Sequence, residues 1–251
     1  MIIYRNKLIR ILECWNEEEP DLLDVDLIRR FQQPQPIDGM FCRDFYTILI
    51  DLRQDQTGLL AAMKRDTRYE IRRGAREGFV YELYNGKDPA VFDEFCDFYD
   101  EFAVRLNQPK LRRPWLALLA SSNSLHFSRI AEDSGPSLVW HGYLRSQGRV
   151  TLLYSASLFA VGSPSAFRNR MGRANRYQHW QDLLRFKQDQ ISLYDFGGWY
   201  EGQSDQKRLQ INRFKEEFGG EIVRNYICER ALTWKGALFL RLRQSLLGNA
   251  I

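Results

Sequence analysis

The chain has 251 residues, 44% hydrophobic, 27% charged and 14% aromatic, with only 17 Gly and 8 Pro. That composition excludes collagen-like, low-complexity and disordered architectures and leaves a globular protein long enough to bury a core. The 36 basic and 32 acidic residues leave a net charge of +4, too little for a dedicated nucleic-acid binder but suited to anionic small molecules such as nucleotides or phosphates.

In chain order, residues 1–50 carry strand-like runs at Leu8–Leu12 and Tyr46–Ile50 around an acidic, Pro-containing middle (Glu17 to Pro20, Pro34, Pro36). This region is too short for an independent domain of typical size. Gln56 to Arg76 reads as one basic helix stopped by Gly78, and Phe79–Tyr84 follows as a strand. Asp88-Pro89 supplies an N-cap and a first-position proline to a helix whose apolar face is Val91, Phe92, Phe95, Phe98, Tyr99 and Phe102. Pro114 opens a second helix through Leu119, and strands follow at 125–131, 137–145 and 150–159. After a loop at 161–172, a helix covers 173–187, a short strand runs from Ile191 to Phe196, and another helix is marked by Leu209, Ile211, Phe214 and Phe218. Gly219-Gly220 closes that helix, Glu221–Cys228 is a strand, and 234–247 a closing amphipathic helix. From residue 79 the order is β-α-α-β-β-β-α-β-α-β, a mixed α/β chain with no internal repeat.

No apolar run nears the roughly 20 residues of a membrane helix: Leu238–Leu240 is cut short by Arg241 and Arg243, so no membrane insertion is expected. Met1–Lys7 carries no secretion-type apolar stretch. Cys14, Cys42, Cys96 and Cys228 form no CxxC pair, and with three His there is no zinc spacing, so no metal is expected. Four scattered thiols point to a reducing cytoplasm.

The element order, with a hairpin ahead of a loop and helix, resembles the GNAT acyltransferase fold. Lys64–Gly78 resembles the helix leading into the second GNAT unit of the Fem-type peptidyltransferases, which add amino acids to peptidoglycan precursors. Tyr194-Asp195-Phe196-Gly197-Gly198 and Asn212–Gly220 resemble two further segments of that family, so the resemblance spans roughly residues 46–230. Only one complete unit fits here, and no coiled-coil arm for tRNA is present. The resemblance therefore implies a GNAT-type domain at 79–251 with a mixed, mostly antiparallel sheet, preceded by a reduced N-terminal half and basic helix at 1–78. Shortened relatives of this type acylate amino groups of nucleotide-linked amino sugars from acyl-CoA.

Asn169-Arg170-Met171-Gly172-Arg173-Ala174 matches all but the first position of the GNAT diphosphate signature, with Arg168, Arg170, Arg173 and Arg176 around it. Either these residues cradle a coenzyme A diphosphate or they are an ordinary loop and helix cap. By resemblance, the backbone at Ser157, Leu158 and Phe159 would supply an oxyanion donor and pair with the pantetheine arm. His141 is the best general base by its natural pKa range, against a hydrogen-bonded structural histidine. His126 and His179 are weaker, the latter on the solvated side of its helix. Asp195 either orients the acceptor amine or accepts backbone N–H bonds at the Gly197-Gly198 turn. Lys215 matches the Fem-type lysine near the reacting carbonyl, where a cation stabilises developing charge. Lys64, Arg68, Arg72 and Arg76 form one basic face, solvated or cradling an acceptor diphosphate; Trp199 and Tyr200 are placed to stack on a sugar or base, and Tyr154, Tyr177 or Tyr200 to protonate a thiolate.

The resulting expectation is a cytoplasmic N-acyltransferase moving an acyl group from acyl-CoA to a nucleotide-linked amino sugar for surface polysaccharide synthesis, by direct attack. Aminoacyl-tRNA with a peptidoglycan precursor is the alternative, tRNA being the less favoured partner, and a non-catalytic binding protein of the same fold is the third. A strand edge or the C-terminal helix could support a homodimer.

Overall fold

Along the chain, residues 1–15, 24–160 and 162–248 are described by a computed structural model. The acidic Glu17–Pro20 stretch lies outside the described residues. Ten strands and seven helices run through them: β1 (Ile2–Asn6), β2 (Ile9–Trp15), β3 (Leu27–Gln33), β4 (Phe41–Asp51), α1 (Gln56–Ala62), α2 (Arg65–Gly74), β5 (Val80–Asn85), α3 (Pro89–Arg105), α4 (Arg113–Ser121), β6 (Leu125–Ala131), β7 (Ser137–Ser146), β8 (Arg149–Ser157), α5 (Ser165–Gln188), β9 (Leu193–Gly198), α6 (Gln206–Glu216), β10 (Glu221–Ala231) and α7 (Trp234–Gly248). No helix among the described residues is long and apolar enough to cross a membrane. The chain forms two compact units, Met1–Thr47 with Val223–Ile251, and Ile48–Ile222. The 1–78 and 79–251 division concerns the ancestry of the halves, which compactness does not address.

In the Ile48–Ile222 unit, β5, β6, β7 and β8 form an antiparallel meander, and β9 joins β8 in parallel. Alternation along β7 sends successive side chains to opposite faces. Trp140 and Gly142 face α3, where Phe95 stacks on Phe127 at 4.2 Å and lies 6.0 Å from Trp140. His141 and Tyr143 face α5, where Leu183 and Phe186 join Tyr194 and Phe196 in the main core cluster. Each such fully buried large side chain contributes about 1.5–3 kcal/mol.

The helix starts follow their capping chemistry. Asp88 Oδ1 accepts from the amides of Ala90 (3.0 Å) and Val91 (3.5 Å), ahead of Pro89. Two boundaries differ from expectation. The single helix expected over Gln56–Arg76 is two, because Met63 and Lys64 are extended (ψ 150° at both). The Arg68 guanidinium closes the first by donating to the carbonyls of Leu60, Ala61 and Met63 at 3.4, 3.2 and 2.8 Å. The second difference matters more: α5 begins at Ser165, directly after Pro164, so most of the expected 161–172 loop is helix. Gly172 is the reason it reads as a loop; a lone Gly costs a helix only about 1 kcal/mol relative to Ala, and packing overrides that.

In the other unit, β1 and β2 pair antiparallel, β2 and β3 parallel, and β3 and β10 antiparallel. Ile9, Ile11 and Leu27 pack with Leu240 on one face, and Leu12, Cys14 and Ile28 with Val25 on the other. Arg29 is buried between Glu13 (2.7 Å) and Glu229 (2.6 Å), and Arg243 also pairs with Glu229, so the two carboxylates meet two guanidinium groups. Cys42 and Cys228 form a disulfide, Cα to Cα 4.0 Å, while Cys14 and Cys96 are buried free thiols. The expectation of four separate thiols is corrected accordingly, since residues 186 apart in sequence give no spacing signal.

Candidate active site

β8 and β9 run in register through Arg149–Leu193, Val150–Tyr194 and Thr151–Asp195. One step further, a Cβ on Gly197 would come within 2.7 Å of the Leu152 carbonyl, and Gly197 has φ +70°. Only glycine suits that position on both counts. The β8–β9 register ends at Thr151–Asp195, whereas β8 continues on β7 as far as Ser157.

Helix α6 is fastened to the chain at the end of β9 by three side chains. Asn212 accepts from the Tyr200 amide at 3.0 Å and donates to its carbonyl at 2.7 Å. Trp199 Nε1 donates to Glu216 at 2.8 Å, and Lys215 Nζ donates to the Gly198 carbonyl at 2.6 Å. The spacing 212, 215, 216 places all three on one helical face. Burial pulls the Lys215 ammonium down to about 8, with the nearby Asp195 acting in the opposite direction. A cation just past a pair of parallel strands can stabilise negative charge developing on a carbonyl oxygen.

Beside α6 lies a buried polar network. His141 Nδ1 is 2.9 Å from Asp182 Oδ2, and its Nε2 is 2.9 Å from the Asn175 side-chain oxygen. Tyr143 donates to the same Asp182 oxygen at 2.6 Å and Tyr81 to the other at 2.9 Å. Tyr194 joins Tyr143 (2.8 Å) to His179 Nδ1 (2.8 Å). Asn175, His179 and Asp182 share one face of α5, at i, i+4 and i+7. The ligand atoms of His141, His179 and Asp182 lie within 4.8 Å of one another, yet both carboxylate oxygens already accept from tyrosine hydroxyls.

Several expected roles are corrected. His141 is fully buried in this network and does not line a cleft. Asp195 is buried and occupied: Arg149 (2.7 Å), Thr151 (3.2 Å) and the Gly197 amide (2.8 Å) all donate to it, the turn-holding alternative. Arg168, Arg170, Gly172, Arg173 and Ala174 lie inside α5, where amide hydrogens serve the helix, so they are no diphosphate loop. Arg170 pairs with Glu132 and Glu77, Arg173 with Glu77, and Ala174 is buried in a core cluster. At the end of β8, the Leu158 amide donates to Leu138 (2.9 Å) and the Phe159 amide to the Ser157 hydroxyl (3.3 Å), so neither is a free oxyanion donor. Tyr154 packs on Tyr99 at 5.2 Å, on the α3 face. Arg68 caps α1, whereas Arg72 is exposed; Tyr200 is half-buried beneath Arg208. The expectation that His179 is solvated is reversed: it is 1% exposed. Asn175, His179 and Asp182 all lie inside the expected 173–187 helix at i, i+4 and i+7, a polar stripe that reads as a solvated face until β7 is known to supply His141 and Tyr143 beneath it.

No family model and no curated protein matches the chain. Among solved structures, FemX matches with a TM-score of 0.58 at 12% identity, over 73% of this chain and 61% of that one. The C-terminal domain of a putative lysylphosphatidylglycerol synthetase from Agrobacterium fabrum matches at 0.57 and 14% identity, over 88% and 72%. L-PGS from Bacillus licheniformis matches at 0.53 and 12%, over 86% and 72%. The chain thus spans less than two thirds of FemX's length. At these identities the likeness is one of fold, and the Fem-like fold expected from the sequence is the one found, with ten strands among the described residues.

Proposed function

We propose that this chain is an acyltransferase in which an acceptor amine attacks the carbonyl of an activated acyl donor directly. The observation that carries the reading is that Lys215 is held by the Gly198 carbonyl at the end of β9, just past the last β8–β9 pair. The amine adds to the carbonyl carbon, the oxygen gains charge that Lys215 stabilises, and the bond to the leaving group breaks. In the finer reading the donor is an acyl-CoA and the acceptor a nucleotide-linked amino sugar, with exposed Arg72 and the aromatic pair Trp199 and Tyr200 at hand for an anionic sugar nucleotide.

One observation favours a second donor, an aminoacyl-tRNA. The segment that would wrap a coenzyme A diphosphate is helical, and Arg170 and Arg173 in it are paired with glutamates. The fold is shared with FemX and with a lysylphosphatidylglycerol synthetase domain, whose name denotes transfer of an amino acid. Isothermal calorimetry with coenzyme A, repeated with aminoacyl-tRNA, separates the two. Micromolar binding of coenzyme A at one per chain supports the acyl-CoA reading. Binding of charged tRNA alone supports the second, and binding of neither sinks both.

A further inference from the structure

We propose that His179 is the proton acceptor of the transfer, presenting an unprotonated Nε2 while a one-way chain of hydrogen bonds runs from its Nδ1 through Tyr194 and Tyr143 to Asp182. The direction follows from counting protons. A carboxylate only accepts, so the 2.6 Å contact between Tyr143 and Asp182 uses the single Tyr143 proton, and the 3.1 Å contact between Tyr143 and His141 Nδ1 must be donated by the histidine. The 2.8 Å contact between Tyr143 and Tyr194 must then be donated by Tyr194. With its proton committed, Tyr194 can only accept from His179 Nδ1, 2.8 Å away. His179 therefore carries its proton on Nδ1, and Nε2 is left with a lone pair.

His179 Nε2 has no hydrogen-bond partner among the described residues, and 1% of the residue remains exposed. Its ring packs against Phe196, Phe214 and Phe218, with centroids at 5.0, 5.6 and 5.2 Å, which places it beside the Lys215 segment of α6. The groups facing it are His141 on β7, Tyr194 on β9, Arg176 on its own helix and Lys215 on α6. Burial and the charges of His141, Lys215 and Arg176 hold its pKa well below the usual histidine value, so the ring stays neutral. Burial likewise keeps Tyr143 and Tyr194 protonated.

The step balances. As the amine nitrogen bonds to the acyl carbon, its surplus proton passes to His179 Nε2, directly or through one water. The Nδ1 proton moves to Tyr194, the Tyr194 proton to Tyr143, and the Tyr143 proton to Asp182. The histidine ends neutral in its other tautomer, both tyrosines keep one proton each, and Asp182 becomes an uncharged acid. Reversal of the chain returns the proton to the leaving group. The source of the proton rests on the transferase reading; the hydrogen-bond chain does not.

The chain holds three histidines, so 15N-histidine labelling gives a readable spectrum. Wild-type His179 is expected as the Nδ1–H tautomer with a bare Nε2 between pH 6 and pH 8, limits chosen to span about half a unit or more either side of a free histidine. In Tyr143→Phe, Tyr194 regains a proton to donate, and His179 shifts toward the Nε2–H tautomer. An Nε2–H His179 in the wild type, or no shift in Tyr143→Phe, overturns the chain. With a donor and acceptor that the wild type turns over, His179→Gln is expected to lower kcat about 100-fold with KM little changed. Tyr194→Phe, which keeps the ring and removes one hydroxyl, serves the same purpose if the histidine variant does not fold. Undiminished kcat in both overturns the role of His179. A wild type with the expected tautomer that transfers nothing from coenzyme A or tRNA donors sinks the transferase reading, and the proton source with it, while the chain stands.

Discussion

At the scale of single residues, charge neutralisation decides which cations are available to a substrate. Arg170, Arg173 and Arg176 meet Glu132, Glu77 and Glu217 respectively, so these three arginines of α5 are spent on the fold, while Arg168 is exposed. Gly172 is then an ordinary mid-helix glycine, and a Cβ there would meet only the guanidinium of Arg176, at an ordinary contact distance of 3.5 Å. Gly172→Ala should raise stability by about 0.5–1 kcal/mol and leave donor KM unchanged; a thermal melt beside a donor titration checks both. Lys215 behaves differently. Its ammonium titrates at about 8, so a role as a cation is present below that pH and fades as the pH rises through it. By pH 9 the contribution should be down about tenfold. Lys215→Arg should carry activity unchanged past that limb, and Lys215→Met should be poor at every pH. A limb that stays near pH 8 in the arginine variant assigns it to another group.

Elements were legible in the sequence where local chemistry sets them. Asp88-Pro89 capping, the 125–131 strand and the glycine stop after Phe218 depend on neighbours in sequence, and the structure has each of them. The polar network was not legible, because His141 and Tyr143 are inward-facing strand residues and Asp182 lies 41 residues on from His141. Nothing in either local pattern says that the helix face above the strand is polar. Strands β1 and β3 were also missed; β3 mixes Arg29, Arg30 and Gln32 with apolar residues, and its buried charges are paired only across strands. The break between α1 and α2 shows the same thing in miniature. Arg68 reads as part of a basic face, yet it caps three carbonyls of the preceding helix. Arg68→Met should therefore cost about 1–3 kcal/mol of stability, seen as a lower unfolding midpoint in urea, with acceptor KM little changed. A large rise in KM without loss of stability would restore the diphosphate cradle.

For the whole molecule, the telling feature is that one compact unit is assembled from both ends of the chain, Met1–Thr47 and Val223–Ile251. Strands β1 to β3 pair within the first stretch, but bringing β10 onto β3 closes a long loop, which costs entropy before that pairing repays it. The Cys42–Cys228 disulfide joins the two stretches across 186 residues and removes much of that cost from the unfolded state. The paired ions of Arg29 with Glu13 and Glu229 also span both stretches, but their net contribution is smaller because burying them is itself expensive. Reduction, or Cys42→Ser, should therefore destabilise this unit by about 2–5 kcal/mol. The Ile48–Ile222 unit, whose cysteine Cys96 is a free thiol, should be affected much less. Hydrogen exchange read unit by unit gives the answer: protection lost in β1–β3 and β10 but retained in β6–β8 is the expected pattern. Equal loss in both units would mean that the two unfold as one cooperative block.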